Sequence, residues 1–140
     1  MNRAVIFDVG ECLVDETTEY GTWADWLGVP RHTFAAMFAP DVDLVGTSDD
    51  WGTSKPDRAF FDRVAEVVPA GPDEMLYVGD RVDNDIRPAA MAGMHTALVR
   101  RGPWATIQWN SEEAKKFPTF RVESLLELSG LIRSFNVSQR

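Results

Sequence analysis

The sequence predicts an α/β fold: a doubly wound, Rossmann-like, mostly parallel sheet of about five strands flanked by helices. Two observations carry this. Short apolar runs, Val5-Ile6-Phe7, Met75-Leu76-Tyr77-Val78 and Thr96-Ala97-Leu98-Val99, read as strands covered on both faces, as parallel strands are. Segments with helical spacing alternate with them, and no linker, repeat or low-complexity stretch divides the chain. One domain over residues 1–140 is therefore expected.

Taken in order, the first run ends in Asp8, with Gly10 behind it as a turn signal. Residues 16–38 read as helix, with Thr17 or Thr18 as cap and Gly28-Val29-Pro30 as an interruption, because Pro30 disfavours a helical Val29. Val42 to Val45 reads as a short strand with Asp43 as a polar break, closed by Gly46-Thr47-Ser48. A turn-rich stretch leads to Lys55-Pro56-Asp57, and Pro56 suits the first turn of a helix running through Phe60, Phe61 and Val64 to Val68. Met75–Val78 is the next strand and ends in Gly79-Asp80. A polar turn, Arg81 to Asp85, then opens a helix through Ala92, with Gly93 as its C-cap. Thr96–Val99 is a strand, 100–111 a loop containing Trp104 and Trp109, and 112–116 a short charged helix. Phe120–Val122 is a last strand, 124–132 a last helix, and the tail from Asn136 is expected to fray.

The chain has 140 residues, 44% of them hydrophobic, which fills one core. Its formal net charge of −8 repels phosphate backbones, so nucleic acid is not an expected partner. A single cysteine, Cys12, excludes an internal disulfide framework. No apolar run is long enough for a membrane span and no basic-then-apolar leader is present, so the expected setting is cytoplasmic, without a membrane partner.

The acidic residues are not evenly spread. Asp8, Glu11, Asp15 and Glu16 fall in one short segment, and Asp80, Asp83 and Asp85 in another. Strand ends at one edge of a parallel sheet would bring Asp8 and Asp80 together, where open α/β sheets place ligands. Converging carboxylates repel unless a cation lies between them, and an all-oxygen set selects a hard ion such as Mg²⁺. Lys55, at a helix start, supplies a point charge suited to a phosphate oxygen. A carboxylate, Mg²⁺ and a lysine around one cavity describe phosphoryl transfer through an aspartyl-phosphate.

At these residues the chain resembles the haloacid dehalogenase (HAD) superfamily of hydrolases. The matching pieces are Val5-Ile6-Phe7-Asp8-Val9-Gly10 with Leu13-Val14-Asp15, then Gly52-Thr53-Ser54-Lys55-Pro56-Asp57. The third is Tyr77-Val78-Gly79-Asp80-Arg81-Val82-Asp83-Asn84-Asp85-Ile86, followed by Ala92-Gly93-Met94. Their order and spacing agree over residues 4–100. The resemblance implies Asp8 as nucleophile and Mg²⁺ ligand, the Gly10 carbonyl as a second ligand, and Asp80 completing the metal site with Asp85 beside it. Lys55 would steady Asp8 and the phosphoryl group. A phosphorylated small molecule or phosphoprotein is the implied substrate.

The sequence departs from that pattern in two ways. Family phosphatases carry a second Asp two residues after the nucleophile as acid and base; here Gly10 stands there, and Glu11 is the neighbouring carboxylate. The segment between Asp15 and Gly46 is also too short for the usual helical cap, so no cap domain is expected. The cleft would be open, to be covered by a large substrate or by a second copy in a homo-oligomer. With the cap's following strand also missing, Val42–Val45 can slot in beside the first strand by a right-handed crossover. That would present Thr47 or Ser48 toward Asp8 as phosphate-binding hydroxyls; alternatively both simply close the strand. The main reading is a Mg²⁺-dependent phosphatase. A catalytically weak or inactive binding module is the alternative, and metal-free dehalogenation a third reading that the paired Asp80 and Asp85 oppose.

Overall fold

The computed structural model describes residues 1–9, Gly28 and residues 43–139. Among them lies one parallel sheet of four strands in the order β1-β2-β3-β4: β1 Ala4–Phe7, β2 Met75–Gly79, β3 His95–Val99 and β4 Phe120–Val122. All five residues of β2 are buried. It pairs with β1 from Ala4↔Met75 to Phe7↔Val78 and with β3 from Leu76↔His95 to Gly79↔Leu98. This is why its sequence is an unbroken apolar run rather than an alternating one.

Helices cover both faces. On one, α2 (Arg58–Val67) lays Phe60, Phe61 and Val64 against Met75 and Tyr77. Its outer face carries the ion pairs Arg58–Asp62 and Arg63–Glu66. Trp51, Phe60, Phe61 and Tyr77 form a run of ring contacts, each with centroids 5.2–5.3 Å apart. Short α3 (Arg87–Met91) follows a single turn of π-helix, Val82–Ile86, and adds Ala89 to the same cluster. Gly93, just past its end, has φ +90°, a conformation that favours glycine. On the other face, α6 (Leu125–Ser138) packs Leu128 with Leu125, Leu131 and Ile132 onto Leu76, Val78, Ala97 and Val99. Ser124 caps α6 by accepting from the Glu127 amide, and Glu127 accepts in turn from the Glu123 amide.

Four expectations are corrected. Val42 lies outside the described residues, but Leu44 and Val45 belong to no strand and are about half exposed. With Asp43 beside them they offer too short an apolar run to hold a sheet position, so among the described residues four strands are seen, with about five expected over the whole chain. Residues 100–111 are not all loop: Gly102–Gln108 form α4, with Pro103 in its first turn, a position where the missing N–H costs nothing. Helix α2 begins at Arg58 rather than Pro56, with Asp57 at the cap position. The tail from Asn136 does not fray. Asn136 accepts from the Asn2 amide at 2.7 Å and donates to the Asn2 carbonyl at 3.1 Å, and α6 continues to Ser138. The helices read over 16–38 lie outside the described residues, apart from Gly28. Among the described residues no helix is long and apolar enough to cross a membrane.

Candidate active site

The parallel register sets the site. Asp8 follows β1 directly and its amide donates to the Val78 carbonyl at 2.8 Å, extending the ladder by one step. Asp80 follows β2. The two carboxylates therefore leave adjacent strands at the same end of the sheet, and the π-helical turn after Asp80 returns Asp85 to them. Oxygens of Asp8, Asp80 and Asp85 all lie within 4.8 Å of one another.

Gly79 makes room for this. A methyl group there would stand 2.6 Å from the Asp85 Cβ and 2.8 Å from its Oδ2, so any side chain would push Asp85 off the strand. The Arg81 amide holds Asp85 Oδ2 at 3.2 Å. Asp85 is wholly buried and Asp80 nearly so.

Lys55 lies in the stretch between α1 (Ser48–Trp51) and α2, and its ammonium reaches into the cluster. Its Nζ donates to Asp8 Oδ1 at 2.7 Å and to Asp85 Oδ1 at 2.6 Å. Two of the three ammonium donors are thus taken by carboxylates. Burial works against the Lys55 charge, but the carboxylates of Asp85 and Asp8 outweigh it and hold the pKa above the ordinary lysine value. Burial likewise pushes the Tyr77 hydroxyl up, so it stays protonated.

One positive charge faces three carboxylates. Burial, and then the charges of Asp85 and Asp8, push Asp80 up to about 7. Burial also raises Asp85, opposed by Lys55 and reinforced by Asp8. Asp80 Oδ2 is buried without a hydrogen-bond partner. A buried, unpaired carboxylate oxygen beside two more acids is what a cation would satisfy, and the all-oxygen donor set suits a hard divalent ion. The residues present fit Mg²⁺.

The remaining expected site residues fall elsewhere. Gly10 and Glu11 lie outside the described residues. Thr47 is the N-cap of α1: its hydroxyl accepts from the Asp50 amide at 3.2 Å and donates to Asp50 Oδ2 at 2.7 Å. Ser48 lines an open cavity of about 410 Å³ together with Asp49, Gly52, Thr53, Ser54 and Asp57. Neither hydroxyl is hydrogen-bonded to Asp8. Asp83 turns away from the cluster, held by Arg81 at 2.8 Å and Gln108 at 2.8 Å.

The HAD-hydrolase-like family model matches residues 52–128, more than half of the chain. The chain belongs to the HAD-like hydrolases. It is similar to a glyceraldehyde 3-phosphate phosphatase of Methanopyrus kandleri, 35% identical over 86 residues that cover 61% of this chain and 36% of that protein. A glyceraldehyde 3-phosphate phosphatase of Methanocaldococcus jannaschii is 33% identical over 95 residues, covering 68% and 40%. The fold also matches the crystal structure of a HAD phosphatase from Thermococcus onnurineus, with a TM-score of 0.58 at 21% identity, over 85% of this chain and 57% of that one. This HAD-like chain spans two-fifths or less of the length of those two curated relatives.

Sequence reasoning missed three residues of this HAD-like site. Tyr77 was read as a strand and motif residue, without its buried place in the electrostatic neighbourhood of Lys55. Gly79 was read as part of a motif, without the close approach of Asp85 that requires it. Gln108 lay in a stretch read as loop; the Gly102-Pro103 start signal, followed by helical spacing to Ala105 and Gln108, was the cue that would have placed it.

Proposed function

We propose that this chain is a Mg²⁺-dependent phosphatase core that works through an aspartyl-phosphate on Asp8. The observation that carries the reading is the buried, cation-deficient cluster of Asp8, Asp80 and Asp85 with Lys55 across it. Asp8, Asp80 and Asp85 would hold the metal, with the Gly10 carbonyl as a further ligand implied by family resemblance. Bound there, Mg²⁺ supplies charge that stabilises the phosphoryl oxygens.

The chain's own groups do the rest. The Asp8 oxygen that Lys55 does not hold attacks phosphorus, the bond to the leaving oxygen breaks, and that oxygen takes a proton. Water then attacks the phosphorus of the acyl-phosphate, releasing inorganic phosphate and restoring the Asp8 carboxylate. Lys55 holds Asp8 in place and, by shifting a donor, faces a phosphoryl oxygen. Two of the curated relatives are named as phosphatases of a small sugar phosphate, which supports a phosphate monoester as substrate.

The test is turnover of a panel of phosphate monoesters with and without Mg²⁺, by the wild-type chain and Asp8→Asn. Mg²⁺-dependent release of phosphate that the variant loses is expected; full activity in the variant would overturn the assignment. Gly10 favours a second reading, a metal-holding module without turnover, because general acid–base help is typically worth about 10²–10⁴-fold. No turnover across the panel, with Mg²⁺ still raising the melting temperature, would select that reading.

A further inference from the structure

Helix α4 reaches back to the turn that carries the acids. Gln108, in its last turn, accepts from the Val82 amide through Oε1 at 2.7 Å and donates from Nε2 to Asp83 Oδ1 at 2.8 Å. One side-chain amide thus fixes the backbone and the carboxylate of two consecutive residues. Both stand between Asp80 and Asp85. From the other side, Arg81 grips Asp83 with Nε at 3.3 Å and Nη2 at 2.8 Å, and its guanidinium lies 4.4 Å from the ring of Trp104, one turn earlier on α4. The Arg81 amide is also the one that holds Asp85 Oδ2.

The turn cannot hold this shape by its own ladder alone. Its π-helical winding, Val82–Ile86, is wider than an α-helical turn, and the Asp85 and Ile86 amides share the Arg81 carbonyl as acceptor. The first amides of a helical turn have no partner within it and need one from outside. For Val82 that partner is Gln108. A slack turn here would let Asp80 and Asp85 move apart, as their like charges favour.

We propose that Gln108 is a positioning residue of this site: it sets the Arg81–Asp85 turn so that Asp80 and Asp85 converge, and the affinity for a divalent cation depends on it. This rests on the reading of the acid cluster as a cation site. Partners that orient ligands without touching the metal typically govern about 10–100-fold of metal affinity. Removing the Gln108 amide is therefore expected to weaken Mg²⁺ binding by about tenfold or more.

The experiment is calorimetric titration of the full chain with Mg²⁺ alone, together with the melting temperature of each metal-free variant. Gln108→Ala should bind Mg²⁺ at least about tenfold more weakly. Gln108→Glu keeps the acceptor for Val82 but sets a carboxylate against Asp83, so it should be as weak. Adding Asp83→Asn to Gln108→Glu exchanges donor and acceptor across the pair and should recover part of the affinity, the rest staying lost with the Arg81 grip on the Asp83 carboxylate; a merely space-filling role would give no recovery. Equal Mg²⁺ affinity in wild type and Gln108→Ala would overturn the proposal. Should Gln108→Ala fail to fold, Gln108→Glu and its rescue decide, and a double variant no better than the single one would also overturn it. A wild-type chain that takes up no Mg²⁺ instead removes the cation-site reading beneath it.

Discussion

Replacing Lys55 with methionine would remove the one cation seen in the acid cluster among the described residues while keeping nearly the same length and volume. Packing loss should be small, so the measured change reports charge. The side chain is 16% exposed and faces Asp85, which is fully buried, and Asp8, which is 21% exposed. Breaking a buried ion pair by deleting one partner costs about 3–5 kcal/mol, because the other charge is left uncompensated. Here the deletion orphans two carboxylates, and the deficit must depend on pH. Asp85 already sits above the ordinary carboxylate range, and without Lys55 it would rise further. A carboxyl whose folded pKa is raised binds its proton more tightly in the folded state, so stability falls as pH climbs from the unfolded to the folded value. Lys55→Met should thus lose about 3–5 kcal/mol at pH 8, as judged by urea unfolding, and much less at pH 5. Millimolar Mg²⁺ should recover part of the loss at pH 8 by restoring a positive charge. A deficit under about 1 kcal/mol at pH 8, or one equal at pH 5 and pH 8, would refute the reasoning, since that is the size of an exposed pair.

Other perturbations follow from the same geometry. Metal-free wild type should lose stability as pH rises from 4 toward 7, on the order of 4 kcal/mol from Asp80 alone, whose folded pKa of about 7 lies far above the unfolded 3.8. Asp80→Asn should remove most of that slope in urea titrations run at successive pH values. Gly79→Ala would place its methyl group 2.6 Å from the Asp85 Cβ. It should cost about 1–3 kcal/mol by overpacking and abolish Mg²⁺ uptake in the same calorimetric titration. Asn136→Ala should cost about 1–3 kcal/mol by stranding both polar groups of the Asn2 backbone, and hydrogen exchange at Asn2 and Arg3 should accelerate while β3 stays protected.

Four strands and the emergence of Asp8 and Asp80 at one end of the sheet were legible because each rests on a local signal, whereas Asp85 and Lys55 were placed beside them by the family resemblance. An apolar run marks a buried strand, and the residue after it must emerge at the sheet's end. Asp8 and Asp80 needed no more than this. The Val42–Val45 expectation failed at Leu44 and Val45, an apolar pair beside Asp43 that meets the composition of a strand but belongs to none and stays about half exposed. Helix α4 was hidden in a stretch read as loop, although Gly102-Pro103 serves as its start. Gln108 and Tyr77 were illegible for a different reason. Their neighbours, Val82 with Asp83 and Lys55, lie 22–26 residues away in sequence. No periodicity encodes contacts of that range. Asn136 belongs with them: nothing in its neighbourhood announces a partner at the opposite end of the numbering.

The grip of Asn136 on Asn2 has a mechanical consequence. Strand β1 is only four residues long and pairs, among the described residues, with β2 alone. Its root is tied down by the Arg3 amide on the Glu74 carbonyl at 2.7 Å and by the Asn136 side chain. The last helix is thus a tether for the strand whose tip is Asp8, at the far end from the chemistry. A fusion partner or tag that pulls on the end of α6 would tug on that strand, and the aim of the Asp8 carboxylate would drift with it. Load applied to α6 is therefore not mechanically neutral for this chain.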